Sequence, residues 1–294
     1  MPSGYNTTTS LSDSLNSMVA AARITREFEG VMPQLVDKQT LEEGTGLTWN
    51  EITLGQLTAS SVSETTELDN SQQVSDVNFA LTPTIVGIHT VLTDRVKRRI
   101  SAKAYTKLGQ LGQNAIQRKK DEDGLLVLDG FTSLSGAGTT LASGVIAAGK
   151  YRMTSNATEP ALPPFRCVLH GFQINDLYTE LVSGVGTYPV PDGDTATVFK
   201  QGFTLPIAGV EVYEDGNITI DSSDDAKGGV FAKMGIVLVQ GKNPWQENRR
   251  EPHIGGGADS VFLYDEYIYG ERLAAGTTSA FGFEIYSDAT SPSS

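Results

Sequence analysis

Between Arg95 and Lys120 the chain carries nine Lys or Arg and no acid, while Val96, Ile100, Ala104, Leu108, Leu111 and Ala115 recur at spacings of four, four, four, three and four. A period near 3.6 held over that length places one apolar stripe on a long helix and leaves the bases to the other faces. Thr93 and Asp94 supply a good N-cap pair. The helix is predicted to end at Asp121-Glu122-Asp123-Gly124, with Gly124 as its C-cap. Gly109 and Gly112 each weaken it by about 1 kcal/mol relative to Ala, which suits a site where another backbone comes close.

What precedes this helix is of the opposite charge. Residues 39–94 hold eight Asp or Glu and no Lys or Arg. Within 55–78 only Leu57, Ala59, Val62, Leu68, Val74 and Val77 are apolar, six of 24 residues. This reads as a long polar two-stranded excursion with its tip near Leu68-Asp69-Asn70-Ser71. Such a hairpin is marginal alone in water and must lie on something. Residues 1–17, mostly Ser, Thr, Asn and Gly, cannot offset their own ordering entropy. Residues 18–29 suggest a short helix stopped by Gly30. Val77, Phe79 and Leu81 alternate, and after Pro83 so do Val86, Ile88, Thr90 and Leu92, as in a half-buried strand.

After the helix come a short apolar run at Leu125–Leu128 and a small-residue stretch over 131–149. A strand follows at Phe165–His170, then a helix from Ile174 to Val182. Strands are expected over 203–213, 217–220, 229–240, 261–272 and 279–286. One long helix, a few short ones and many strands in no βαβ rhythm make the chain α+β.

Composition removes whole classes of function. The 294 residues are enough for one large domain or two smaller ones with a real core. A net charge of −13 argues against a dedicated nucleic-acid binder and against a polybasic membrane anchor. The single cysteine, Cys167, excludes an internal disulfide. No apolar run approaches the ~20 residues of a membrane helix. The N-terminus lacks a basic region followed by an apolar stretch, so synthesis and folding in a cytoplasm are expected.

No catalytic motif emerges. His89, His170 and His253 have no partners at metal-ligand spacing and read as ordinary strand or loop histidines. Gly136-Ala137-Gly138 lacks the third glycine of a dinucleotide loop and no phosphate-binding Lys-Ser/Thr follows, and no Gly-x-Ser-x-Gly elbow is present. Cys167 reads as a buried structural thiol, with His170 facing the other side of the strand. Asp215, Asn217, Thr219 and Asp221 alternate like the first ligands of a calcium loop, but Ile220 and Ala226 stand where that loop needs Gly and Glu. The acids Glu211, Glu214, Asp215, Asp221, Asp224 and Asp225 read as a solvated face, and Phe262, Tyr264, Tyr267 and Tyr269 as sheet core and rim. No enzyme activity, cofactor or metal is therefore expected.

The order of these parts resembles the major capsid protein of tailed bacteriophages, the Hong Kong 97 fold. Three stretches carry the likeness: Pro164-Phe165-Arg166-Cys167-Val168-Leu169-His170-Gly171 with its following helix, the glycine-interrupted Gly202–Val212, and the late strand Asp265-Glu266-Tyr267-Ile268-Tyr269-Gly270. The resemblance implies an N-terminal arm at 1–45 and an extended loop at 46–80. It implies a peripheral domain with a spine helix at 81–130 and 256–294, and an axial domain at 131–255. It implies a subunit that assembles with itself into pentamers and hexamers of an icosahedral virion shell around double-stranded DNA, in a host bacterial cytoplasm. No long charged helical segment precedes the arm, so the resemblance implies a separate scaffolding protein or a piece already removed; a portal and a cement or decoration protein are further implied partners. In that fold the extended loop reaches over the peripheral domain of the next subunit. Glu64, Glu67 and Asp69 near its tip would then meet basic residues of a neighbour, with Arg95, Lys97, Arg98 and Arg99 as candidates. An inward-looking basic helix face and a merely solvated one are the alternatives. An encapsulin-type compartment is the nearest different use of the fold; a β-rich enzyme or carbohydrate-binding protein is the reading from another class.

Overall fold

The computed structural model describes residues 5–6, 30–65, 71–99, 102–183, 206–274 and 280–292. The expected helix at 18–29 and the loop tip lie outside them. Among the described residues eleven strands form three sheets. The first has the order β1-β5-β10-β9-β2, built from Tyr5–Asn6 (β1), Asp37–Thr40 (β2), Thr84–Thr93 (β5), Ile236–Glu251 (β9) and Ala258–Glu271 (β10). The second has the order β11-β8-β6-β7, from Phe165–Leu169 (β6), Val210–Glu214 (β7), Asp225–Ala232 (β8) and Gly282–Asp288 (β11). Trp49–Leu54 (β3) and Asp76–Leu81 (β4) form an antiparallel hairpin of their own. The helices are Met32–Leu35 (α1), Asp94–Arg99 (α2), Ala102–Asp129 (α3), Ser143–Thr154 (α4) and Gly171–Ser183 (α5).

α3 joins the two large sheets. Near its middle, Gly112 lies against Leu263 and Ile88 of the first sheet. At its end, Leu128 packs on Gly229 of the second. From residue 109 on, one buried row runs through Gly112, Ile116, Lys120, Gly124 and Leu128, each four residues after the last, with Asp121 and Leu125 buried beside it. The expected stripe through Leu111 and Ala115 is thus displaced by one position, and those two residues are only half-buried. Lys120 occupies the middle of the buried stripe because Asp265 of β10 receives its ammonium at 3.0 Å.

Three expectations are corrected. The helix does not stop at Gly124. A Cβ there would lie 2.8 Å from Met32 Cβ and 3.1 Å from the Tyr269 ring, so glycine serves close packing inside the helix. Leu125 and Leu128 are its last buried turn. The small-residue stretch contains α4, whose Ile146, Gly149 and Met153 face the second sheet's cluster. Gly149 lets the helix settle on Val230, since a Cβ there would approach its methyl to 2.4 Å.

The sheets also cross the expected boundary at 255/256. β9 lies before it yet joins β5 and β10, while β11 lies after it yet pairs with β8. Nor is the whole of 1–45 a polar arm. Met32, Leu35 and Val36 are buried in the main cluster with Leu128 and Phe231, and β2 pairs in parallel with β9. Earlier in the chain, β1 pairs in parallel with Val91 and Leu92 of β5. The expected strands at 203–213 and 217–220 shrink to β7 and a bridge between Ile220 and Ala226; residues 203–205 lie outside the described set.

Candidate subunit-contact surface

The β3–β4 hairpin has two unlike faces. Trp49, Glu51 and Thr53 alternate with Asn50, Ile52 and Leu54, and across the ladder they pair with Leu81, Phe79 and Val77, and with Ala80, Asn78 and Asp76. The first set turns toward the body. Phe79 and Leu81 sit on Gly270 of β10, where a Cβ would come within 2.5 Å of Leu81. Trp49 packs edge-on against Phe79 at 6.1 Å.

Arg272 bolts this face down. It follows β10, and its side chain is 17% exposed. Its Nε donates to Glu51 Oε2 at 2.9 Å, its Nη2 to Asp37 Oδ2 at 2.9 Å, and its Nη1 to the Met234 carbonyl at 2.8 Å. One guanidinium thus joins the hairpin, β2 and the turn before β9, as its rigid fork of donors allows. Beside it a cavity of about 160 Å³ separates Glu51 and Phe79 from Met234 and Phe281. Gln56 reaches the Thr158 carbonyl after α4.

The opposite face of the hairpin is uncovered. Ile52 is 64% and Leu54 66% exposed, although their alternation is that of a strand with a packed side. Beyond Leu54 the limbs run on without a ladder, held by Gly55 N–H to the Ser75 carbonyl and by the Gln72 amide on the backbone of Thr58. Every described residue in 56–65 and 71–76 is exposed, and Leu57, Val62 and Val74 add to the open apolar surface. Sequence reasoning named this segment by its polarity but did not single out Ile52, Leu54 or the Arg272 anchor. The 2-residue alternation in β3 was the available signal.

Of the acidic candidates, Glu64 is exposed on the hairpin, while Glu67 and Asp69 lie outside the described residues. Arg95, Arg98 and Arg99 are exposed on α2. Lys97 is half-buried and paired with Asp259 of its own chain. Arg250 completes that cluster by holding Asp94 and Asp259, and its guanidinium keeps the Asp94 carboxyl below the usual carboxylate range. Among the described residues no hydrogen bond or ion pair joins Glu64 to the bases of α2 within one chain. Farther along, Arg118 and Lys119 meet Glu122 and Asp123 one turn on.

The acids read as a solvated face are partly structural. Asp225 is buried and accepts the Gly138 N–H at 2.7 Å, and Asp215 is fully buried. Asp221 stays exposed, accepts the Ser223 N–H and the Tyr286 hydroxyl, and is held below its ordinary value by them. Cys167 is fully buried and its thiol is pushed far up. His170 accepts the Phe172 N–H on Nδ1 at 3.2 Å, and burial pulls it down. Tyr267 and Tyr269 are core, whereas Phe262 and Tyr264 stack at 6.1 Å on the sheet face away from α3. Among the described residues no three His, Cys, Asp or Glu are grouped to hold a metal ion, and no helix is long and apolar enough to cross a membrane.

No protein-family model and no curated protein sequence matches the chain. Solved structures do. The capsid of cyanophage P-SCSP1u superposes with a TM-score of 0.71 at 11% identity, over 96% of this chain and 95% of that one. A Mycobacterium phage Che8 structure gives 0.69 at 17% identity, over 92% and 95%. The head structure of Helicobacter pylori bacteriophage KHP40 gives 0.67 at 10% identity, over 98% of both. Such agreement along nearly the whole length, at identities this low, means that the chain has the α+β fold of tailed-phage major capsid proteins, the Hong Kong 97 type.

Proposed function

We propose that the chain is a major capsid protein. In this reading it assembles with itself into the pentamers and hexamers of an icosahedral phage head, encloses double-stranded DNA without reading its sequence, and has no turnover of its own. The observation that carries this is the hairpin, whose inner face is bolted to the body while its outer face presents Ile52 and Leu54 to solvent. A monomer gains nothing from an anchored strand pair with an open apolar side, and a partner surface would cover it. The fold shared with capsid structures supports a second copy as that partner. The net charge of −13 suits a shell that must not adhere to the DNA within.

The division into arm, extended loop, peripheral and axial domains is part of this proposal, with two adjustments drawn from the strand pairing. β9 goes with the peripheral sheet and β11 with the axial one; separately, the burial of Met32 puts the end of the arm before that residue. A separate scaffolding protein, a portal and a cement or decoration protein remain proposed partners.

Charge registers the copies in this scheme. Glu64, Glu67 and Asp69 would meet Arg95, Arg98 and Arg99 of the next copy, each exposed pair adding about 0.2–1 kcal/mol and fading with salt. Electron microscopy of the purified full-length chain is expected to show closed shells. Ile52→Ser with Leu54→Ser should leave the subunit's melting transition in place and abolish shells. Unchanged shell yield from that variant would remove the hairpin from the interface. Reversing Glu64 and Glu67 to Lys should lower yield at low salt and matter less at high salt; equal yield at low salt would leave the basic helix face inward-looking or solvated.

A further inference from the structure

Two carboxyl groups with no exposed surface, Asp121 and Asp215, meet where the N-terminal segment enters the body. Asp121 lies on α3, and Asp215 follows β7. Asp121 accepts the Met32 N–H on Oδ1 and the Asn217 side-chain amide on Oδ2, both at 2.9 Å. Asp215 accepts the Val31 N–H on Oδ2 at 3.3 Å and the Asn217 N–H on Oδ1 at 2.9 Å. Asn217 joins the two, giving its N–H to Asp215 and its side-chain amide to Asp121, which sets the carboxyls side by side. Gly30 passes directly over them, since a Cβ there would fall 2.1 Å from Asp121 Cγ.

Two carboxylates in contact away from water cannot both be charged without a large penalty. One proton between them turns the repulsion into a short charge-assisted hydrogen bond. Among the described residues neither carboxyl forms an ion pair with a Lys, Arg or His. On α3, Lys120 turns away to Asp265 and Gln240, and Asp123 is held by Lys119 and the Tyr267 hydroxyl. From β10 the pair is faced by Tyr269, whose buried hydroxyl has no hydrogen-bond partner among the described residues, with Tyr267 and Asp265 beyond it. Beside Asp215 on the chain, Glu214 lies against Gly171 at the start of α5.

We propose that Asp121 and Asp215 form a one-proton clasp on the root of the N-terminal segment, closed while the pair keeps its proton and loosened when the second carboxyl ionises. Burial first, with the Asp121 charge adding to it, raises Asp215 from 3.8 to about 7. When the segment lifts and water enters, Asp215 returns to its ordinary range and releases the proton. Between about pH 4 and 7 the closed form therefore binds the extra proton. Its opening constant rises with pH, by up to ~tenfold per unit, and levels off above that window. The clasp is tight in mild acid and weakest in mild base. This inference does not depend on the shell reading.

The test is amide hydrogen exchange of Val31 and Met32 in the full-length protein from pH 5 to 8.5, corrected for intrinsic exchange. The expected result is an opening constant that climbs to about pH 7 and is then flat. Asp215→Asn keeps an acceptor for the Asn217 N–H and a donor toward Asp121 but loses the acceptor of the Val31 N–H, so Met32, held by Asp121, is the reporter there and should show no slope. A flat wild-type profile, or a slope that survives in Asp215→Asn, would overturn the clasp. Should the variant fail to fold, carboxyl carbon-13 titration of the wild type decides. A joint titration of the two groups near neutrality supports the shared proton, and two independent titrations in the usual carboxylate range refute it.

Discussion

Replacing Arg272 by Ala tests whether one guanidinium fastens the hairpin to the body. Three partners lose their donor: Glu51, Asp37 and the Met234 carbonyl. The Glu51 and Asp37 side chains are 33% and 29% exposed, so both can regain water. Hydrogen bonds to charged groups contribute about 1.5–3 kcal/mol when well buried, and exposed ion pairs about 0.2–1 kcal/mol. Intermediate exposure places each carboxylate contact near ~1 kcal/mol, and the orphaned carbonyl adds ~1 kcal/mol. The sum is a loss of about 3 kcal/mol in subunit stability by urea unfolding. The decisive measurement is a double-mutant cycle with Glu51→Gln, for which a coupling of about 1 kcal/mol is expected. Amides of β3 and β4 should exchange about fivefold faster in Arg272→Ala, while those of β8 follow only the global change. A coupling within ~0.3 kcal/mol of zero, with β3 and β4 amides exchanging no faster than in the parent protein, would refute the anchor.

Other substitutions read the core. Gly124→Ala improves helix propensity by ~1 kcal/mol but places a methyl 2.8 Å from Met32 Cβ, so overpacking of about 1–3 kcal/mol should lower the melting temperature. Gly109→Ala, with nothing within 4 Å of the added methyl, should raise it. Lys120→Met leaves the fully buried Asp265 charge without its cation and should cost about 3–5 kcal/mol in urea unfolding. Adding Asp265→Leu should recover most of that loss. If the double variant is as unstable as the single one, the buried pair contributes through packing alone.

The parts that local chemistry governs were legible in the sequence. A 3.6-residue period marked α3, and alternation marked β4 and β5. Low apolar content marked the excursion between β3 and β4, and the order of these parts pointed to the capsid fold. Three things were decided only in three dimensions. Lys120 counts in the sequence as a base on a polar face, yet it sits in the buried stripe because Asp265, 145 residues away, cancels its charge. Gly124 carries the sign of a helix end, yet the helix runs through it because Met32 and Tyr269 leave no room for a side chain. Asp215 looks like one acid in a solvated run, yet the arrival of Val31 and Asp121 removes it from water. The reason is common to all three. Periodicity and propensity record what a residue does to its own backbone, whereas desolvation and pairing depend on which distant groups the fold delivers to it.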